Sequence, residues 1–282
     1  MLLFIFLVNS LFRPVIPEFN GDTAYTYLLK QVEMGYRIPG TPTHKRCVEF
    51  INNHLKKYAD TVLFQRFNRD GIEFTNIIGV FKGKGKKLLL GAHYDSRPFC
   101  EKDPQEEYRS RPLPGANDGA SGVAVLLEIA RALGKRRPGK AVYLVFFDGE
   151  DFGRTDEDMF IGSRYMASNL QFDIDEVIVI DMVGDRDLNV YREGYSQNFS
   201  RELNDKVFRI YTSLFRKTFI DSVKYYVNDD HIPFIHRGIP AIDIIDFDYK
   251  YWHTHEDTPD KCSPESLRKV GYGLLYYIFR GK

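Results

Sequence analysis

The sequence predicts an α/β fold, a single domain in which helices cover both faces of a mixed, mostly parallel central sheet. Leu88–Ala92, Ala141–Phe147, Val177–Ile180 and Ala241–Ile245 are short runs that are apolar throughout, the pattern of strands buried on both faces. Helix-like segments at Gly119–Leu133, Gly162–Asn169 and Ser200–Lys217 lie between them, and such alternation builds parallel sheets. Each run also ends in acids or histidine, as expected where a site forms beyond the carboxyl ends of the strands.

The elements follow in order. Asp22–Val32 and Thr43–Tyr58 have helical spacing, joined by the rigid turn Tyr36–Pro42, with Thr43 as the expected cap of the second. Val62–Phe67 and Phe74–Phe81 read as two strands of a hairpin. Lys82–Lys87 is a solvated turn without the spacing of a phosphate loop. Pro264–Phe279 closes the chain as a helix.

The 282 residues suffice for one large domain, and no composition shift divides them. Lys and Arg number 39 and Asp and Glu 39, spread along the chain, which argues against nucleic acid or an anionic surface as the main partner. Cys47, Cys100 and Cys262 fit no zinc-finger spacing and allow at most one bridge. Met1–Asn9 is apolar but too short to span a bilayer and lacks leading basic residues. It reads as a trimmed export signal, implying a periplasmic or envelope protein, or as the packed arm of a cytoplasmic one. Residues 1–20 are therefore set apart from a domain of 21–282, and no stable membrane span is expected.

Asp118 lies among small residues in Gly115–Gly122, directly before a strong helical pattern. Alone it would be an ordinary helix cap. However, the strand ends add His93, Glu150-Asp151, Asp181 and, after a loop, His253. Imidazole with carboxylate is zinc's usual non-thiolate ligand set. Adjacent Glu150 and Asp151 point in different directions, so one can ligate while the other moves a proton. Asp95 is spaced to hold the second imidazole nitrogen of His93. Alternation turns His255 away from His253, as a pocket wall or surface residue.

The ordered motifs GAHYDSRP, GANDGASGV, FFDGED, IGSRY, DMVGD, EGYS, DDHIPF and WHTHEDT resemble the zinc-dependent aminopeptidase and glutaminyl cyclase superfamily, from about Arg37 to the C-terminus. The resemblance implies a zinc exopeptidase-like α/β/α sandwich acting on peptide or protein N-termini. It makes Asp118, Asp151 and His253 the ligands of a principal zinc, with His93 and Asp181 holding a second across a bridging Asp118. Glu150 matches the general acid/base, and a cis peptide is expected after Asp118.

Two chemistries share this scaffold. An aminopeptidase hydrolyses a peptide bond, whereas a cyclase closes N-terminal Gln to pyroglutamate and releases ammonia. Asp229-Asp230-His231 preceded by Asn228, and Trp252 before His253, are more similar to the bacterial glutaminyl-peptide cyclotransferase-like members. On that reading Asp181 and Asp230 bind the amine or the leaving amide, and Trp252 walls the pocket. The loop Arg154–Phe160 lacks a Trp often found there, leaving Phe152 or Phe160 to replace it. A catalytically inactive binding module is the remaining alternative, disfavoured because every site residue is intact.

Overall fold

The computed structural model of the protein describes residues 14–281. Met1–Asn9, with the export reading built on it, lies outside the described residues. Phe19 is already buried in the main core, so packing begins just ahead of residue 21.

The strands are β1 (Thr61–Arg69), β2 (Ile72–Phe81), β3 (Lys87–His93), β4 (Ala141–Phe147), β5 (Glu176–Asp181), β6 (Val190–Glu193), β7 (Phe219–Tyr225) and β8 (Ala241–Ile245). The helices are α1 (Gly21–Glu33), α2 (Pro42–Leu55), α3 (Ala120–Lys135), α4 (Ile161–Ser168), α5 (Gly194–Phe199), α6 (Arg201–Phe215), α7 (Ile232–His236) and α8 (Pro264–Arg280). The central sheet runs β1-β2-β4-β3-β5-β8, with β1, β2 and β4 pairing antiparallel and the remaining pairs parallel. The apolar strands alternate between two cores. Leu88, Leu90 and Ala92 face one with α1, α3 and α8, while Leu89, Val145 and Val177 face the other with Met166 of α4 and Phe234 of α7.

This layering positions the site. β3 lies between β4 and β5, the strands that follow it. The chain runs from β3 to β4 through α3 on one face, then from β4 across β3 to β5 through α4 on the other, so the connections on the two sides of β3 run in opposite directions. The carboxyl end of β3 is therefore the topological switch point, where α/β sheets open a crevice.

Several details differ from the sequence reading. Thr41, not Thr43, caps α2, accepting from the His44 amide ahead of Pro42. The expected helix 200–217 is present as Arg201–Phe215 with Ser200 at its N-cap, its hydroxyl accepting the Ala241 amide, but a separate α5 precedes it, capped by Glu193. The parallel pair β6–β7 was not anticipated: β7 is mostly exposed and carries no apolar alternation. Cys47, Cys100 and Cys262 are all free and buried. No described helix is long and apolar enough to cross a membrane.

His54 of α2 donates from Nε2 to the Leu127 carbonyl at 2.8 Å and packs against Tyr27 and Tyr58. Burial lowers its pKa from the ordinary 6.5 to about 4. The folded chain thus keeps this ring neutral over a range in which the unfolded chain protonates it. Its contribution is complete above pH 6.5 and is lost as pH falls towards 4, an effect of roughly 2–3 kcal/mol. Replacing His54→Gln should flatten the fall in Tm between pH 6.5 and 4.5 relative to the parent, measured by calorimetry.

Candidate metal centre

Five segments deliver ligand-type side chains to this crevice. β3 ends in His93, the loop after β4 carries Glu150 and Asp151, and β5 ends in Asp181. Asp118 precedes α3 and His253 follows β8 on a loop. His93 Nε2 lies 3.1 Å from Asp118 Oδ1 and 3.3 Å from Asp181 Oδ1. His253 Nε2 lies 3.6 Å from Asp118 Oδ2 and 3.5 Å from Asp151 Oδ1. Ligand atoms of Asp118, Asp151 and His253 fall within 4.8 Å of one another, as do those of His93, Asp118 and Glu150. Asp118 therefore turns one carboxylate oxygen to each imidazole.

The residues fit a divalent cation. Both ring nitrogens of His93 and Oδ2 of Asp151 are buried without a hydrogen-bond partner, and orphaned groups of that kind are costly. Burial and the nearby Asp151 push the Asp118 carboxyl up to about 7, and the same two causes raise Glu150 well above the usual range. A cation among them relieves that repulsion, and mixed imidazole and carboxylate donors suit zinc.

The supporting contacts are specific. The Asp118-Gly119 peptide is cis, as expected. At Gly119 a Cβ would stand 2.3 Å from His93 Nε2, so only glycine lets the imidazole approach. Asp257 accepts the amides of Asn117 and Asp118 at 2.9 and 3.2 Å. Fully buried Arg37 donates to the carbonyls of Tyr94, Pro114 and Gly115. Glu101 accepts from His253 Nδ1 at 2.7 Å and also pairs with Arg97, whose Nη1 reaches Asp151 Oδ1. Sequence reasoning missed Glu101, Asp257 and Arg37; Arg97 and Asp257 stand inside the quoted motifs, which was the available signal.

Over the ligands lies a cavity of about 200 Å³, walled by Phe160, Tyr226, Phe247 and Trp252 with Glu150, Asp181 and Asp229 on its floor. Trp252 and Phe160 thus stand where expected, the Trp252 ring centroid 4.2 Å from that of His253. Phe152 does not line the cavity: it packs edge-on against Phe74. Asp230 is also off the wall, because successive residues face opposite ways and Asp229 takes the cavity side. The carboxylate of Asp95 is committed elsewhere, accepting the amides of Glu150 and Asp151 at 3.1 Å each, and lies 3.4 Å from His93 Nδ1 without forming a hydrogen bond. His255 is bound to Asp103 and stacked on Tyr108, outside the cavity.

Residues 76–278 match Peptidase family M28. The chain belongs to that family. A glutaminyl-peptide cyclotransferase of Bothrops jararaca is 30% identical, over 83% of this chain and 75% of its own. A crystal structure of Bacteroides thetaiotaomicron glutaminyl cyclase bound to N-acetylhistamine is 34% identical with a TM-score of 0.91, covering 95% of this chain and 100% of that one. A Zn-dependent exopeptidase from Parabacteroides distasonis ATCC 8503 is 35% identical with a TM-score of 0.90, covering 94% and 100%. The M28 fold thus matches the predicted layered sandwich.

Glu101 orients His253 through the nitrogen that faces away from the cavity, and partners of this kind tune metal affinity by about 10–100-fold. Glu101→Gln should weaken zinc binding by that order in competition with a chromogenic chelator, with the far-UV spectrum unchanged.

Proposed function

We propose that this protein is a zinc-dependent glutaminyl-peptide cyclotransferase, closing the N-terminal Gln of peptides or proteins to pyroglutamate with release of ammonia. The observation that carries the reading is the narrow aromatic well beside the ligand cluster, which suits one folded-back side chain better than an extended peptide crossing a cleft. The names of the relatives support the same chemistry.

On this reading Asp118, Asp151 and His253 hold the principal zinc, which when bound polarises a carbonyl oxygen. Trp252 and Phe160 press the Gln side chain into a compact conformer, bringing the α-amine towards its own amide carbon. Glu150, buried on the floor of the well, takes a proton from the amine. The amine nitrogen bonds to the side-chain amide carbon, the bond from that carbon to the amide nitrogen breaks, and Glu150 returns the proton to the departing ammonia. Asp181 and Asp229, both on the floor of the well, accept hydrogen bonds from the amine and the leaving amide. Asp229 takes the role that the sequence assigned to Asp230.

One observation favours aminopeptidase action instead: Asp118 offers one oxygen to His93 and the other to His253, as a carboxylate bridging two zinc ions would. Incubation with a Gln-initiated peptide and with a Leu anilide separates the two. Ammonia release with ring closure and an intact anilide is expected. Anilide cleavage without ring closure would transfer the protein to the hydrolases.

Glu150→Gln should lower kcat by about 10²–10⁴-fold while zinc content stays at the parental level. Asp229→Asn should cost at least about tenfold more in kcat than Asp230→Asn, in line with general-base-scale effects at a substrate-facing position. A larger loss for Asp230→Asn would return the role to Asp230.

A further inference from the structure

A second cavity, about 760 Å³, adjoins the well and plays no part in the chemistry above. The two share Asp156, Phe160 and Asn228. Asn228 Nδ2 donates to Asp156 Oδ2 at 3.3 Å across the common rim, and the buried Phe160 ring forms the partition. An aromatic path crosses the same boundary. Tyr226 lines the well, Tyr195 meets it edge-on at 5.2 Å, and Phe199 follows Tyr195 at 6.5 Å within the groove. Phe199 and Tyr226 are 67% and 58% exposed, well beyond what packing of the fold requires.

The charge of the groove is one-sided. Asp156 is at the shared rim, while Arg164, His236 and Arg237 line the groove. Among the described residues, neither guanidinium enters an ion pair, and the Arg164 guanidinium lies over the Phe160 ring, 5.6 Å from its centroid. Arg97, by contrast, is tied to Glu101 and Asp151. Aromatic surface next to unpaired guanidinium groups recognises an extended chain bearing apolar and carboxylate side chains.

We propose that this groove binds the residues that follow the N-terminal one in the substrate peptide, selecting an aromatic or large apolar residue and then acidic ones. The proposal rests on the cyclotransferase reading for its sense of direction, first residue in the well and later residues outwards. Continuity of the groove with the well is the reason to assign it to the substrate chain rather than to a second copy of the protein.

The test uses the full chain with three substrates: Gln-Gly amide, the pentapeptide Gln-Phe-Glu-Glu-Gly amide, and its counterpart Gln-Phe-Lys-Lys-Gly amide. Direct binding is measured beside turnover, by fluorescence anisotropy of the pentapeptides labelled at the C-terminus. The acidic pentapeptide should exceed the basic one by about tenfold in kcat/KM at low salt, with the gap narrowing at high salt. The double variant Arg164→Glu, Arg237→Glu should reverse that order and leave the dipeptide unchanged, which separates loss of recognition from loss of fold. Phe199→Ser should raise KM for both pentapeptides without altering kcat for the dipeptide. Equal kcat/KM for the two pentapeptides, or variants that affect the dipeptide equally, would overturn the groove while leaving the cyclotransferase reading in place. Absence of ring closure on every substrate, with charge-selective anisotropy retained, would sink that reading and keep the groove as a peptide site. Self-association in sedimentation that Phe199→Ser abolishes would assign the surface to a second copy and overturn the proposal.

Discussion

Crowding of buried carboxylates at one edge of the sheet is the constraint on which the structure depends. Asp118, Glu150, Asp151, Asp181, Asp229, Asp230 and Asp243 are each less than a tenth exposed, and burying a single unpaired carboxylate costs several kcal/mol. Protein cations answer only part of this charge. Arg97 serves Asp151 and Glu101, while Arg37 spends its guanidinium on backbone carbonyls. The remainder is held either by retained protons or by a divalent ion. The orphaned nitrogens of His93 favour the ion, since a proton-sharing network would leave them partnered.

Topology explains why these groups meet. His93, Glu150 and Asp181 leave three adjacent parallel strands at the point where the crossovers diverge, so strand order alone gathers them. Asp118 and His253 arrive on loops, and loops need to be held. Asp257 and Arg37 fasten the first, Glu101 and the chain around Lys102 the second, the Lys102 amide donating to the His253 carbonyl. Three of the four non-glycine residues with positive φ among those described, Phe160, Met182 and His253, line the well. Such backbone costs on the order of 1–3 kcal/mol per residue and persists only where its surroundings impose it.

The fold was legible because burial on both faces writes itself into sequence as unbroken apolar runs. β4 and β8 begin and end where those runs do. The candidate ligands were legible because chemistry restricts such groups to few residue types at strand ends. What escaped were groups whose role exists only through space: Glu101 lies 152 positions from the histidine it orients, and nothing near it in sequence marks it. Asp229 and Asp230 show the same limit at close range. Both are acids in one motif, and only the rotation of the backbone decides which faces the cavity. β6 and β7 failed for other reasons, β6 being only four residues long and β7 being mostly exposed and so free of the periodicity that burial imposes.

The choice between ring closure and hydrolysis then rests with the walls rather than the ligands. Either reaction needs a polarised carbonyl and a nearby base, and this site provides for both. Hydrolysis also needs room for water and for the peptide on each side of the broken bond, whereas ring closure needs a side chain folded upon itself. Aromatic rings from three separate segments, Phe160 before α4, Tyr226 after β7, and Phe247 with Trp252 after β8, narrow the space above Glu150 to about 200 Å³. Walls gathered from that many places add nothing to metal binding, and their effect is to restrict the conformers of whatever enters. Confinement of that kind accelerates an intramolecular attack far more than a bimolecular one, because it removes conformational freedom that the ring-closing step would otherwise have to lose.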